Sequence, residues 1–151
     1  MISDLYGGII LEAAANLPPA SRLDSPDASA TRVSRVCGSS LTLDLMVEDG
    51  VVTDFGLDSK ACALGQAAAS LTAENLIGAT VGELYRLRDV MVAMLKDNGP
   101  PPSDERWQRL AALQAIQDYP QRHASTLLIF EAIVECLNGL ADGRPSSGDA
   151  R

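Results

Sequence analysis

The chain is 151 residues long, 46% apolar, 21% charged and only 4% aromatic. That suits one globular domain whose core rests on Ala, Leu, Ile and Val. Twelve basic against twenty acidic residues leave a net charge of −8, which argues against nucleic-acid or anionic-membrane binding. No apolar run approaches the roughly 18 residues of a membrane span, no basic stretch precedes an apolar one at the N-terminus, and a single histidine excludes any site needing two. Three cysteines are too few, and an odd number, for a secreted disulfide framework. A cytoplasmic protein with free thiols and no membrane association is expected.

Residues 2–16 place Ile2, Leu5, Tyr6, Ile9 and Ala13 at helical spacing, and Leu17-Pro18-Pro19 ends that helix. Residues 17–30 read as a loop, and a short strand follows over about residues 31–36. The next segment is a hairpin. Leu41, Leu43, Leu45 and Val47 alternate with Thr42, Asp44, Met46 and Glu48, and beyond Asp49-Gly50 Val51, Thr53, Phe55 and Leu57 alternate with Val52, Asp54, Gly56 and Asp58. A two-residue Asp-Gly turn would set Leu45 against Asp54. A three-residue loop, Glu48-Asp49-Gly50, instead pairs Val47 with Val51, Leu43 with Phe55 and Leu41 with Leu57, which puts both apolar stripes on one face.

A helix of small residues spans about residues 63–77, with Gly78 as its stop. Thr80 and Glu83 form a capping-box pattern for a helix carrying Leu84, Leu87, Met91 and Met94 or Leu95 on one face. Ser103 can cap another helix to about Gln117, with Trp107, Leu110 and Gln114 on one side. After the Tyr119-Pro120 break, a last helix covers about residues 125–140. Residues 141–151 read as a disordered tail to one domain over 1–140. The order gives an α+β class: a small antiparallel sheet of about three strands, an N-terminal helix and about four helices after the hairpin.

Cys37 precedes the first hairpin strand and Cys62 follows the second, so the pairing brings both to one end of the sheet. Gly38 permits close backbone approach beside Cys37. Cys62 stands at a helix start, where the helix dipole favours a thiolate. Two converging thiols suit a soft metal or iron–sulfur site, a disulfide, or sulfur transfer; two unrelated buried cysteines fit the same spacing. Cys136 shares a helical face with Ile129, Ile133 and Leu140 and reads as core. His123 is either a third ligand or a solvated or capping residue. Ala67, Ala68, Ala69 and Ser70 read as a close-packing surface. Phosphate-binding loops, dinucleotide fingerprints, a nucleophile elbow and Cys-x-x-Cys spacing are all absent.

Taken in order, these residues resemble the U-type iron–sulfur cluster assembly scaffolds, the superfamily of IscU, SufU and the NifU N-terminal domain. The matching pieces are Leu5-Tyr6, Cys37-Gly38, the hairpin, Cys62 with its small-residue helix to Gly78, Tyr119-Pro120-Gln121-Arg122, and Ala132-Ile133. The segment between Gly78 and Pro120 is similar to the insert of the SufU-like branch. The resemblance implies a scaffold or carrier rather than an enzyme, holding a transient iron–sulfur cluster or, in the SufU-like branch, zinc. It implies a cysteine desulfurase and cluster-accepting proteins as partners. Family members use three cysteines and an aspartate. The first two cysteines map onto Cys37 and Cys62, the aspartate onto Ser39 and the third cysteine onto Ser125, with His123 displaced by one from a residue often His or Lys. Two of four ligands are thus retained. Two variants of the reading are a zinc-dependent sulfur acceptor working with a desulfurase, and a degenerate paralogue that keeps the partner surface without metal.

Overall fold

A computed structural model describes residues 8–34 and 38–141. Strands β1 (Ala28–Val33), β2 (Ser40–Glu48) and β3 (Val51–Lys60) form an antiparallel sheet in the order β1-β2-β3. Helix α1 (Gly8–Ala15) precedes the sheet; α2 (Ala63–Ala73), α3 (Val81–Lys96) and α4 (His123–Ala141) follow it. Between α3 and α4 lie a long 3-10 helix (Glu105–Asp118) and a single 3-10 turn (Pro120–Arg122). The α+β expectation holds. The expected tail from residue 142 onward lies outside the described residues.

Leu41, Leu43 and Leu45 of β2 are buried together with Ile129, Phe130 and Ile133 of α4, in one core. α4 packs on β1 and β2, while α2 and α3 pack against α4. The polar stripe of α4 is narrow: Glu131 pairs with Arg88, Glu135 with Arg32, and Asn138 accepts from Tyr85, while most of the helix is buried. Together with the preceding turn (Pro120–Ala141) it is long and apolar enough to cross a membrane by length and composition, with mean hydropathy 1.5, but about two thirds of it is buried inside the protein. Glu131 and Glu135 interrupt it, so no unbroken apolar run of that length occurs among the described residues. The small residues of α2 let it lie close: Ala67, Ala68 and Ala69 are fully buried.

The hairpin register differs from the parity expectation. Asp49 (φ 54°) and Gly50 (φ 77°) are both left-handed, so they form a two-residue turn that closes Glu48 on Val51 and Val47 on Val52. Thr53 is then absorbed as a bulge, after which Met46 faces Asp54, Leu45 faces Phe55 and Leu43 faces Leu57. The extra residue restores the shared apolar face that the turn alone would have broken. Strand β1 also lies about three residues earlier than expected, pairing Ala28 with Leu45 and Val33 with Ser40.

The loop before β1 folds over the sheet. Ser21 N–H donates to the Leu57 carbonyl at 3.0 Å. The Asp44 carboxylate, fully buried in mid-strand, accepts from Arg22 Nε (2.7 Å), Arg22 Nη2 (3.1 Å), the Leu23 amide (3.0 Å) and Ser29 Oγ (2.6 Å). Burial alone would raise its pKa; the hydrogen bonds from Arg22, Ser29 and Leu23 outweigh that and hold it below the ordinary carboxylate value. Thr80 caps α3 in the expected capping box, with Thr80 N–H donating to Glu83 Oε2 at 2.8 Å. Glu83 Oε1 also accepts from Trp107 Nε1 at 3.0 Å, tying α3 to the 3-10 helix. That helix is capped by Asp104 instead of Ser103.

Candidate functional site

The site lies where the sheet ends and α2 begins. Helix α2 starts directly after β3 because Ala61-Cys62 leaves the ladder and the Ala-rich run favours helix. Cys62 is its N-cap in an extended conformation (φ −66°, ψ 171°) and makes no side-chain cap. Its side chain is thus free of the helix it introduces. The thiol is half-buried and belongs to no disulfide.

Two serines meet Cys62. Its backbone N–H donates to Ser39 Oγ at 3.2 Å, joining α2 to the start of β2. Its Sγ donates to Ser125 Oγ at 3.5 Å, joining α2 to the first turn of α4. Ser125 is 2% exposed and in turn donates to the Arg122 carbonyl at 3.2 Å. Thr126 Oγ1 donates to that same carbonyl at 2.8 Å.

Gly65 sets the approach of the two helices. A Cβ there would come within 2.8 Å of Ala61 Cβ and 3.1 Å of the Ser125 carbonyl oxygen. Glycine three residues after Cys62 is therefore a packing requirement of the site. The sequence reading passed over it as one more small residue in a small-residue helix. A second signal lies in β2: a lone Asp44 between the leucines of a central strand marks a buried charge with partners.

Of the sequence candidates, Cys62, Ser39 and Ser125 come together. Cys37 lies outside the described residues; its neighbour Gly38 has φ 74°, with its N–H bonded to the Ser34 carbonyl at 2.8 Å. His123 is buried at the start of α4 and its Nε2 lies 2.9 Å from the Ile116 carbonyl oxygen. That ring nitrogen serves the junction with the 3-10 helix. Cys136 is core, as expected: its Sγ donates to the Leu43 carbonyl at 3.5 Å, and burial, aided by the charges of Glu135 and Asp44, pushes its pKa up to about 12. It stays a neutral thiol. Among the described residues no three His, Cys, Asp or Glu side chains converge as a metal-binding group.

The arrangement offers one half-buried thiol flanked by two neutral hydroxyls at the start of a helix. Thiolates suit soft metals and sulfide-bridged iron; neutral hydroxyls do not. The described residues supply part of a four-ligand shell.

Comparison with known proteins places the chain in a family. The family model for the NifU-like N terminal domain matches residues 6–126. The iron–sulfur cluster assembly scaffold protein IscU of Thermotoga maritima is 28% identical over 137 residues, covering 91% of this chain and 95% of that protein. A crystal structure of a NifU-like N-terminal protein from Brucella abortus superposes with a TM-score of 0.90 at 48% identity, covering 93% of this chain and 97% of that one. A scaffold structure for the SUF system from Fervidobacterium islandicum shares the fold, with a TM-score of 0.80 at 17% identity, over 88% and 96% of the two chains. The chain belongs to the NifU-like N-terminal domain family.

Proposed function

We propose that this protein is an iron–sulfur cluster assembly scaffold, one domain over residues 1–140 that carries its cargo at Cys37 and Cys62. The observation that carries the reading is the meeting of Cys62 with Ser39 and Ser125 at the sheet end, in a chain of this family. Ser39 is two residues beyond Cys37 in sequence, so its hydrogen bond to Cys62 favours nearness of the two cysteines. Iron and sulfide are the substrates. Cys37 and Cys62 supply thiolates, a cysteine desulfurase supplies sulfur as a persulfide that an external two-electron donor reduces to sulfide, and the assembled product leaves by ligand exchange to acceptor proteins. Ser39 and Ser125 border the cargo. His123 takes part only through Nδ1, or by giving up its bond to Ile116.

Anaerobic reconstitution with iron and sulfide, read by absorbance and Mössbauer spectra, tests the reading. The wild type should give cluster spectra, and the Cys37→Ser/Cys62→Ser double variant should lose them. Identical spectra from both would overturn it. Metal analysis of anaerobically purified protein separates iron with sulfide from zinc, the ion that a sulfur-acceptor role would require.

A further inference from the structure

The separation of Cys62 and Ser125 is that of two ligands on one ion. On a tetrahedral centre with ordinary bond lengths, a thiolate and an oxygen sit about 3.6 Å apart and two thiolates about 3.8 Å apart. Cys62 Sγ and Ser125 Oγ are 3.5 Å apart. Gly65 and the Ser125 carbonyl hold the two chain segments at that spacing. The site is therefore preformed in geometry but not in chemistry. Ser125 places a neutral hydroxyl where a soft cation wants a charged, polarisable sulfur.

We propose that Ser125 sets how readily the site gives up its cargo: it stands at ligand distance from Cys62, supplies no thiolate, and so leaves the cargo one protein ligand short. This rests on the scaffold reading above. Ser125 is thus a positioning residue that determines retention, and position 125 is where a single atom, oxygen or sulfur, separates release from storage.

Cobalt(II) is the probe. Wild type, Ser125→Cys, Ser125→Ala and Cys62→Ser are titrated anaerobically in competition with a chelator, with the thiolate-to-cobalt charge-transfer absorbance recorded and folding checked by circular dichroism. Ser125→Cys should bind at least about tenfold more tightly and intensify the charge-transfer band, as expected for an added thiolate ligand. Ser125→Ala should stay within about threefold of wild type, and Cys62→Ser should lose the band. A folded Ser125→Cys that binds no more tightly than wild type overturns the proposal. So does a Ser125→Ala variant as defective as Cys62→Ser, since the hydroxyl would then itself be a ligand; this arm decides even where Ser125→Cys does not fold. Equal binding by wild type and Cys62→Ser instead overturns the scaffold reading, a result distinguishable from the other two.

Discussion

The two ends of the sheet differ in the bonds that tie them to the helices. At the hairpin end the chain is stitched by its backbone. Val52 N–H donates to the Ala79 carbonyl (2.9 Å), Gly78 N–H to the Val52 carbonyl (2.8 Å) and Val81 N–H to the Gly50 carbonyl (3.0 Å). At the cysteine end, side chains join the elements: Ser39 to Cys62 and Cys62 to Ser125. Backbone bonds survive most substitutions, whereas a hydroxyl is lost with one codon. The cysteine end is therefore the more sensitive of the two to a single side-chain change.

Four substitutions test that contrast. Asp44 lies in mid-sheet and anchors the overlying loop for both ends. Asp44→Ala should cost the most, about 3 kcal/mol in chemical denaturation, since it removes the buried carboxylate to which Arg22, the Leu23 amide and Ser29 all donate. Arg22 is 56% exposed and regains water, which keeps the loss at the low end of that range. The same group gives a pH dependence. Because its folded pKa is depressed, its contribution is complete above about pH 4 and is lost as pH falls through the folded value. Wild-type stability should therefore fall more steeply on acidification below that pH than that of Asp44→Asn; equal slopes would remove Asp44 as the cause.

Gly65→Val should follow, at about 2 kcal/mol, because the new side chain meets the backbone of Ser125. It should also disturb Cys62, measured as an altered rate of iodoacetamide labelling at that residue. Thr80→Ala removes the hairpin-end cap and should cost about 1 kcal/mol. Labelling of Cys62 should be unchanged, and a change would show that the ends are coupled. Ser39→Ala is the smallest, about 0.5–1 kcal/mol in thermal melts, yet it should change Cys62 labelling more than Thr80→Ala does.

Sequence patterning reached the helices best. The capping box at Thr80 and the buried set Leu84, Leu87, Met91, Met94 and Leu95 are as expected, since a 3.6-residue period and a cap are local signals. The hairpin shows where locality ends. Parity correctly demanded a shared apolar face, but a turn-plus-bulge and a longer loop satisfy parity equally, and only the left-handed pair Asp49-Gly50 decides. The segment after Ser103 was read with the wrong period. Trp107, Leu110, Leu113 and Ile116 are buried and Gln114 is exposed, the every-third-residue pattern of a 3-10 helix. At the site, resemblance pointed to Ser39 and Ser125 beside Cys62. Spacing could not show that His123 bonds to the Ile116 carbonyl, or that Gly65 carries the approach of α2 to α4, because both depend on which helix faces which.

That 3-10 helix has a consequence in reach. At about 2.0 Å per residue against 1.5 Å for an α-helix, its 14 residues span about 28 Å instead of about 21 Å. The chain thus arrives at Tyr119-Pro120, and three residues beyond the short turn at Ser125, about 7 Å farther along than an α-helix of equal length would carry it. The same stretch is a ruler with a three-residue graduation. Removing one residue turns the apolar ridge by about 120° and carries Ser125 off Cys62, while removing three keeps the ridge aligned and only shortens the span.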